Sequence, residues 1–361
     1  MDDIAEVYYK TSLKLNLNPV LLPEIDGFKI QIGRKLYFFR GSQTPFNNSS
    51  NLGVASNEYC ANQILKNAGL PVPEATGITE EEYVDGKLRH LVLNYPVVIK
   101  PTCDSSCGTD VICNIPNYET LKPLVDKLIL EHDTLSFESY KPNLNSYRVL
   151  VFFGKVIGVT QRFPAKVRGD GEHTIEELIK IENVKRKQYE KKYKIPLGKL
   201  AISTETHFIF TELGIDKSFI PNINQFVPIR YICNSTHGGT FRSLPTNSIC
   251  RENIKLVQRA AKALTLEFVG FDVLCKDIGI PITKSEGYFI EANPMPDITI
   301  HENDPNGYRN PVSYVIVKKL TSPAYWLANL VKYFDIPQYL RLTFSTFLVF
   351  LFFMWSYLFY A

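Results

Sequence analysis

The stretch FIEANPMPDITIHENDPNG, Phe289 to Gly307, decides how the rest of the chain is read. An apolar run ends in a carboxylate and an amide two residues apart, and prolines and acids follow at once. Strand side chains alternate with a period of two, so Glu291 and Asn293 share one face of an extended segment. Two hard oxygen donors side by side at a strand end suit Mg²⁺. A strand emerging into solvent with a polar exit accounts for the same residues. The stretch alone leaves both readings open.

A second acid raises the interest of the first. Asp272 lies inside the apolar strand VGFDVLC, where an acid costs several kcal/mol unless it is paired or bound to metal. If that strand neighbours the one ending in Glu291, then Asp272, Glu291 and Asn293 converge on one site, a divalent-cation set completed by phosphate and water. Other charges also stand at the ends of apolar runs. Lys100 follows Val97-Val98-Ile99 and can reach a phosphate as a point charge. Glu138 follows LSF and suits ribose hydroxyls. Arg148 and Arg162 lie on the two strands of a hairpin turning at Gly154-Lys155, and Arg230 ends QFVPIR; guanidinium is the group for planar recognition of carboxylate or phosphate. In CNSTHGG (233–239), Gly238 and Gly239 allow either close backbone approach to a ligand or a simple tight turn.

The 361 residues are 45% hydrophobic, enough for a large core in two or three subdomains. A net charge of +3 gives no argument for a nucleic-acid partner. The seven cysteines form neither C-x-x-C pairs nor an even framework, which predicts free thiols in a reducing setting. The N-terminus carries acids where a signal peptide has bases, and no apolar core follows. Residues 342–361, LTFSTFLVFLFFMWSYLFYA, contain no charge. As one helix rising ~1.5 Å per residue they span about 30 Å, which predicts a single-pass C-terminal membrane anchor. Lys332 and Arg341 then hold the catalytic body in the cytoplasm. The basic run at 185–194 is a solvated face or a contact for anionic headgroups. Helices are expected from a Ser56 cap to Gly69, over the segment containing Pro123, and from the Thr174/Glu177 capping-box spacing.

In order along the chain, NAGLPVPEA, YPVVIKPT, SFESY, RGDGEHTIEELI, FVPIRYICNSTHGGT, FVGFDVLCKDI and YFIEANPMPDITIH resemble the ATP-grasp carboxylate–amine ligases. The likeness is to the ATP-grasp domain shared by cyanophycin synthetases and bifunctional glutathione synthetases, and it covers about 51–317. It implies an α+β fold of two α/β subdomains closing on ATP. The expected boundaries are a leading α/β segment at 1–50, a first subdomain at 51–145, a second at 146–320 and a linker at 321–341 before the anchor. It further implies an ATP- and Mg²⁺-dependent (or Mn²⁺-dependent) ligase that joins an amine to a carboxylate through an acyl phosphate. The alternative is a nucleotide-binding scaffold without turnover.

By this resemblance Lys100 and the loop carrying Ser105, Ser106 and Gly108 hold the phosphates, and Glu138 faces the ribose. Asp272, Glu291 and Asn293 bind metal, and Arg230 stabilises the acyl phosphate. The loop Asn234 to Thr240, with Gly238 and Gly239, holds substrate, as do Arg148 and Arg162. The family has an Asp-Lys pair where this chain has Asn57-Glu58, and a carboxylate there repels nucleotide, with Lys66 as the substitute. The expected partners are a small-molecule carboxylate and amine and the membrane. Homo-oligomerisation is left open.

Overall fold

The computed structural model describes residues 2–102, 108, 110–193, 195, 197–304, 307–322 and 346–355. The chain begins with α1 (Asp3–Lys14) and a small antiparallel sheet of β1 (Val20–Leu22), β2 (Gly27–Ile32) and β3 (Lys35–Arg40). Two helices follow, α2 (Ser49–Ser56) and α3 (Glu58–Asn67). The cap of α3 is Asn57 rather than the expected Ser56: its side chain accepts from the Cys60 N–H at 2.8 Å.

A four-stranded antiparallel sheet comes next, built from β4 (Ala75–Thr79), β5 (Val97–Pro101), β6 (Ile112–Ile115) and β7 (Thr134–Ser139) in the order β4-β7-β5-β6. It is covered by α4 (Glu80–Val84) and by α5 (Tyr118–Leu128), which carries Pro123 inside it. Ile78, Ile99, Leu121, Val125 and Phe137 form its core.

The largest sheet has five strands. β8 (Asn145–Phe152) and β9 (Lys155–Phe163) form the hairpin expected at Gly154-Lys155, and both Phe153 and Gly154 have positive φ. A second small module then intervenes: β10 (Lys166–Arg168), α6 (Ile175–Tyr193), α7 (Thr204–Leu213) and β11 (Phe226–Pro228). Thr174 and Glu177 make the reciprocal bonds of a capping box at the start of α6. Residues 185–193 of the basic run form the last turns of that helix. The large sheet is completed by β12 (Thr240–Leu244), β13 (Phe268–Cys275) and β14 (Gly287–Asn293), in the order β12-β9-β8-β13-β14. α8 (Arg251–Ala263) packs on this sheet, and α9 (Thr299–Glu302) and α10 (Val312–Leu320) close the chain's core.

The two central strands read as nearly continuous apolar runs because both their faces are covered. On one face Val149, Val151, Phe271 and Val273 pack with Ala61 and Leu65 of α3 and Val257 of α8. On the other, Leu150, Phe152 and Phe268 pack with Tyr8, Phe28 and Phe39 of the leading segment and with Val312 and Ile316 of α10. Each fully buried aromatic or branched side chain contributes roughly 1.5–3 kcal/mol.

One buried group in this core titrates. His301 is fully buried, with Nδ1 at 2.9 Å from the Thr160 hydroxyl and a ring so close to Gly158 that a Cβ there would lie 2.7 Å from Nδ1. Burial, then the charges of Arg148 and Arg162, push its pKa down to about 3. The folded chain therefore keeps His301 neutral while the unfolded chain protonates it below its ordinary value of 6.5. Stability carried by the neutral ring is present above that value and is lost as pH falls towards the folded pKa. His301→Asn is expected to remove this dependence. Its deficit relative to the parent, measured by denaturant unfolding, shrinks by about 2 kcal/mol between pH 7 and pH 5. Parallel stability curves would contradict the assignment.

The expected membrane-spanning helix is not what the structure has. Among the described residues no helix is long and apolar enough to cross a membrane. The tail is helical over 346–355, which at ~1.5 Å per residue is about half the hydrocarbon thickness of a bilayer. The flanking 342–345 and 356–361 lie outside the described residues, as does most of the expected linker. The single-pass anchor, and the membrane partner and location that rested on it, are corrected accordingly.

Candidate functional site

Register explains why the strand acids meet. Asp272 on β13 stands opposite Glu291 on β14 and, on its other side, opposite Arg148 on β8; Arg148 in turn stands opposite Thr160 on β9. Alternation sends Ser146, Arg148, Arg162, Asp272, Glu291 and Asn293 to one end of one sheet face, where all six line a cavity of about 400 Å³. Tyr147, Val149 and Val151 of β8 and Val269, Phe271, Val273 and Cys275 of β13 form the apolar core behind them. The opposite wall comes from the four-stranded sheet: Val98 and Lys100 on β5 and Glu138 on β7, with Val98 paired to Glu138 across the strands.

Asp272 is held by two arginines. Arg148 grips it through Nε and through Nη2, the latter at 2.9 Å, and Arg162 Nη2 reaches the same carboxylate. Burial raises the pKa of Asp272, but the two guanidiniums outweigh it and hold the carboxyl below its ordinary range. Glu291 goes the other way: burial first, then Asp272 and Glu58, push its carboxyl up to about 8. The Asn293 amide nitrogen is buried and has no hydrogen-bond partner among the described residues. Two carboxylates beside an amide fit a hard divalent cation, whose charge would favour the ionised form of Glu291; the unpartnered Asn293 NH₂ is a donor and suits an acceptor such as a phosphate oxygen, not the cation. A different trio, Asp110, Glu131 and His132, also clusters, but a 3.0 Å hydrogen bond from His132 to Asp110 accounts for its geometry.

Lys100 stands between two carboxylates, 2.9 Å from Glu58 and 2.9 Å from Glu138. Burial pulls the ammonium's pKa down, and Glu138 and Glu58 more than reverse this, so the lysine is charged. It also lies 3.4 Å from the Ile290 carbonyl, tying the two sheets together across the cavity. Glu58 reaches it from the first residue of α3, whose N–H donates to the Thr102 carbonyl at 3.0 Å. The sequence reading took Glu58 as a repulsive site for nucleotide and missed its partner. Lys66, offered there as a substitute for the missing lysine, lies exposed in the last turn of α3, away from the cavity wall.

Other expected residues divide. Gly108, Asn234 and Thr240 line the cavity. Arg148 and Arg162 line it too, and both guanidiniums are engaged by Asp272, while Arg162 Nε is buried with no hydrogen-bond partner among the described residues. Arg230 does not line it: Nη1 lies 3.4 Å from Glu205 and Nη2 3.3 Å from His237. Gly238 and Gly239 serve packing, because a Cβ would lie 2.7 Å from Leu200 Cδ2 in one case and 2.6 Å from the Asn234 carbonyl in the other. Ser105 and Ser106 lie outside the described residues. The cavity also has walls that the sequence reading passed over: Cys113, Tyr140, Tyr231, Cys233 and Asp297. Asp297 is buried and accepts from the Thr299 N–H and hydroxyl, each at 2.7 Å. Its place three residues beyond the Asn293-Pro294 step was the available signal.

No protein-family model matches the chain. It is 31% identical over 276 residues to a cyanophycin synthetase of Synechocystis, covering 75% of this chain and 31% of that protein. It is 22% identical over 278 residues to the glutathione biosynthesis bifunctional protein of Desulfotalea psychrophila, covering 75% of this chain and 34% of that one. The chain thus spans about a third of the length of these relatives. Its fold is similar to part of a bifunctional glutathione synthetase from Pasteurella multocida, with a TM-score of 0.58 at 22% identity over 89% of this chain and 43% of that one. With two antiparallel sheets facing across a charged cavity and the sequence relatives agreeing with the fold, the chain belongs to the ATP-grasp carboxylate–amine ligase family.

Proposed function

We propose that the chain is an ATP- and Mg²⁺-dependent ligase joining an amino-acid or peptide amine to a small-molecule carboxylate. The γ-phosphoryl group of ATP passes to the carboxylate oxygen, the amine attacks the activated carbonyl carbon, and the amide, ADP and phosphate leave. The observation that carries this reading is the meeting of Asp272, Glu291 and Asn293 on one sheet with Lys100 and Glu138 on the other, around one cavity.

Glu291, Asn293 and Asp272 would hold Mg²⁺ or Mn²⁺, which supplies positive charge to the phosphoryl oxygens. Arg148 and Arg162 keep Asp272 ionised and oriented. Lys100 faces the phosphates and Glu138 the ribose. Gly108 lies near Asn234 across the cavity, where a Cβ on the glycine would be 3.5 Å from the Asn234 amide nitrogen, so the loop carrying Gly108 and the loop carrying Asn234 and Thr240 together border the substrate end. The acyl-phosphate role assigned to Arg230 by resemblance has no support in this geometry and is dropped.

The test is phosphate release by the full chain with ATP, Mg²⁺ and pooled amino acids or dipeptides. Release that depends on the amine and vanishes without the cation supports the ligase. ATP binding with no release under any acceptor supports the nucleotide-binding scaffold instead.

A further inference from the structure

The charges of the cavity are gathered on part of its wall. Among the described residues, the charged side chains that line it stand on α3 and on or just after β5, β7, β8, β9, β13 and β14. The remaining wall is made by 108–113 and 231–241, and neither segment presents a charged side chain to the cavity among the described residues. The two segments lie against each other: the Asn114 amide donates to the Tyr231 hydroxyl at 3.0 Å, and a Cβ on Gly108 would lie 3.7 Å from Ile232 Cγ2. Val111, Cys113, Ile232, Cys233 and Phe241 give this wall its apolar character. Behind it Glu205 and Arg230 are paired with each other, and neither lines the cavity. The wall is also poorly hydrated. Burial pushes the Cys113 thiol up, and it pushes the Cys233 thiol up to about 11 against the pull of Arg162. One charge adjoins the wall, since Arg162 on β9 stands opposite Phe241 on β12. Arg162 gives Nη2 to Asp272 and keeps a buried Nε with no hydrogen-bond partner among the described residues. That N–H suits one carboxylate oxygen. A second charge on the same ligand would lose its water with nothing opposite it.

We propose that this end of the cavity takes an acid with a single carboxylate and an uncharged, apolar body. The carboxylate meets Arg162, and the body packs on Val111, Cys113, Ile232, Cys233 and Phe241. The inference rests on the ligase reading above and names the class of acid that the ligase activates. Selection comes from what the wall lacks. An apolar body gives up little on leaving water, whereas a charged one gives up its hydration and finds no counter-charge.

The experiment measures kcat/KM for phosphate release by the full chain with ATP, Mg²⁺ and pooled amino-acid amides, which carry an amine and no carboxylate. The acids are N-acetyl-leucine, N-acetyl-phenylalanine, N-acetyl-aspartate and Nα-acetyl-lysine. The leucine and phenylalanine acids are expected to exceed the other two by about a hundredfold or more. Cys233→Asp puts a carboxylate into the wall and is expected to raise the lysine acid at least about tenfold relative to the leucine acid, a gain that a structural defect does not produce. Titration calorimetry of the same acids, with the full chain holding Mg²⁺ and a non-hydrolysable ATP analogue, reads the wall without turnover. Charged acids used or bound as well as the apolar ones overturn the proposal and leave the ligase standing. Binding of none of the four acids overturns it as well. A folded Cys233→Asp with the parent's ratio overturns the placement of the body against Cys233. Selective binding of the apolar acids with no release from any of them supports the character of the wall and removes the ligase reading alone.

Discussion

Asp272→Ala is expected to lower the unfolding free energy by about 3–5 kcal/mol, the cost of leaving buried charge without its counter-charge. The aspartate is 1% exposed, and both Arg148 and Arg162 lose their carboxylate when it goes. Denaturant unfolding reads this as a lower midpoint with an unchanged slope. The physical cause is checked by a compensating set. Asp272→Leu with Arg148→Met and Arg162→Met removes all the buried charge together and recovers most of the loss, since apolar replacement of a whole buried ion cluster is often neutral or better. If Asp272→Ala unfolds at the parent's midpoint, the ion cluster does not hold this end of the sheet together.

Glu291→Gln has the opposite profile. Amine-dependent phosphate release is expected to fall by about a thousandfold, the loss of several kcal/mol of metal-borne charge stabilisation. Stability is expected to be equal to the parent's or slightly higher. Glutamine is of similar shape and carries no carboxyl whose ionisation burial and Asp272 oppose. Phosphate release and thermal unfolding measured on the same preparation separate the roles proposed for the two acids, Asp272 chiefly in holding the sheet and Glu291 chiefly at the cation. A variant with parental release rates would remove Glu291 from the reaction.

Much of this site was legible one strand at a time. In FIEAN the alternation of side chains puts Glu291 and Asn293 on one face whatever surrounds them, and an acid inside VGFDVLC demands a partner wherever the strand sits. The Gly154-Lys155 turn and the Thr174/Glu177 capping box are likewise local, because their hydrogen bonds close within a few residues. The order of motifs along the chain carried the family.

What only the tertiary structure decided is every contact made across the chain. The partners of Asp272 depend on the register of β13 against β8, and Arg148 and Arg162, which looked like substrate groups, turn out to hold that acid. Glu58 and Lys100 come from different elements and meet only because the backbone of α3 docks on the exit of β5. Arg230 stands beside a site-forming loop in sequence, yet Glu205 on α7 and His237 draw it off the cavity wall. Alternation, turns and caps are set by neighbours along the chain and so can be read from it. Register, ion pairing and the sign of charge in a cavity are set by neighbours in space, which a linear pattern does not encode.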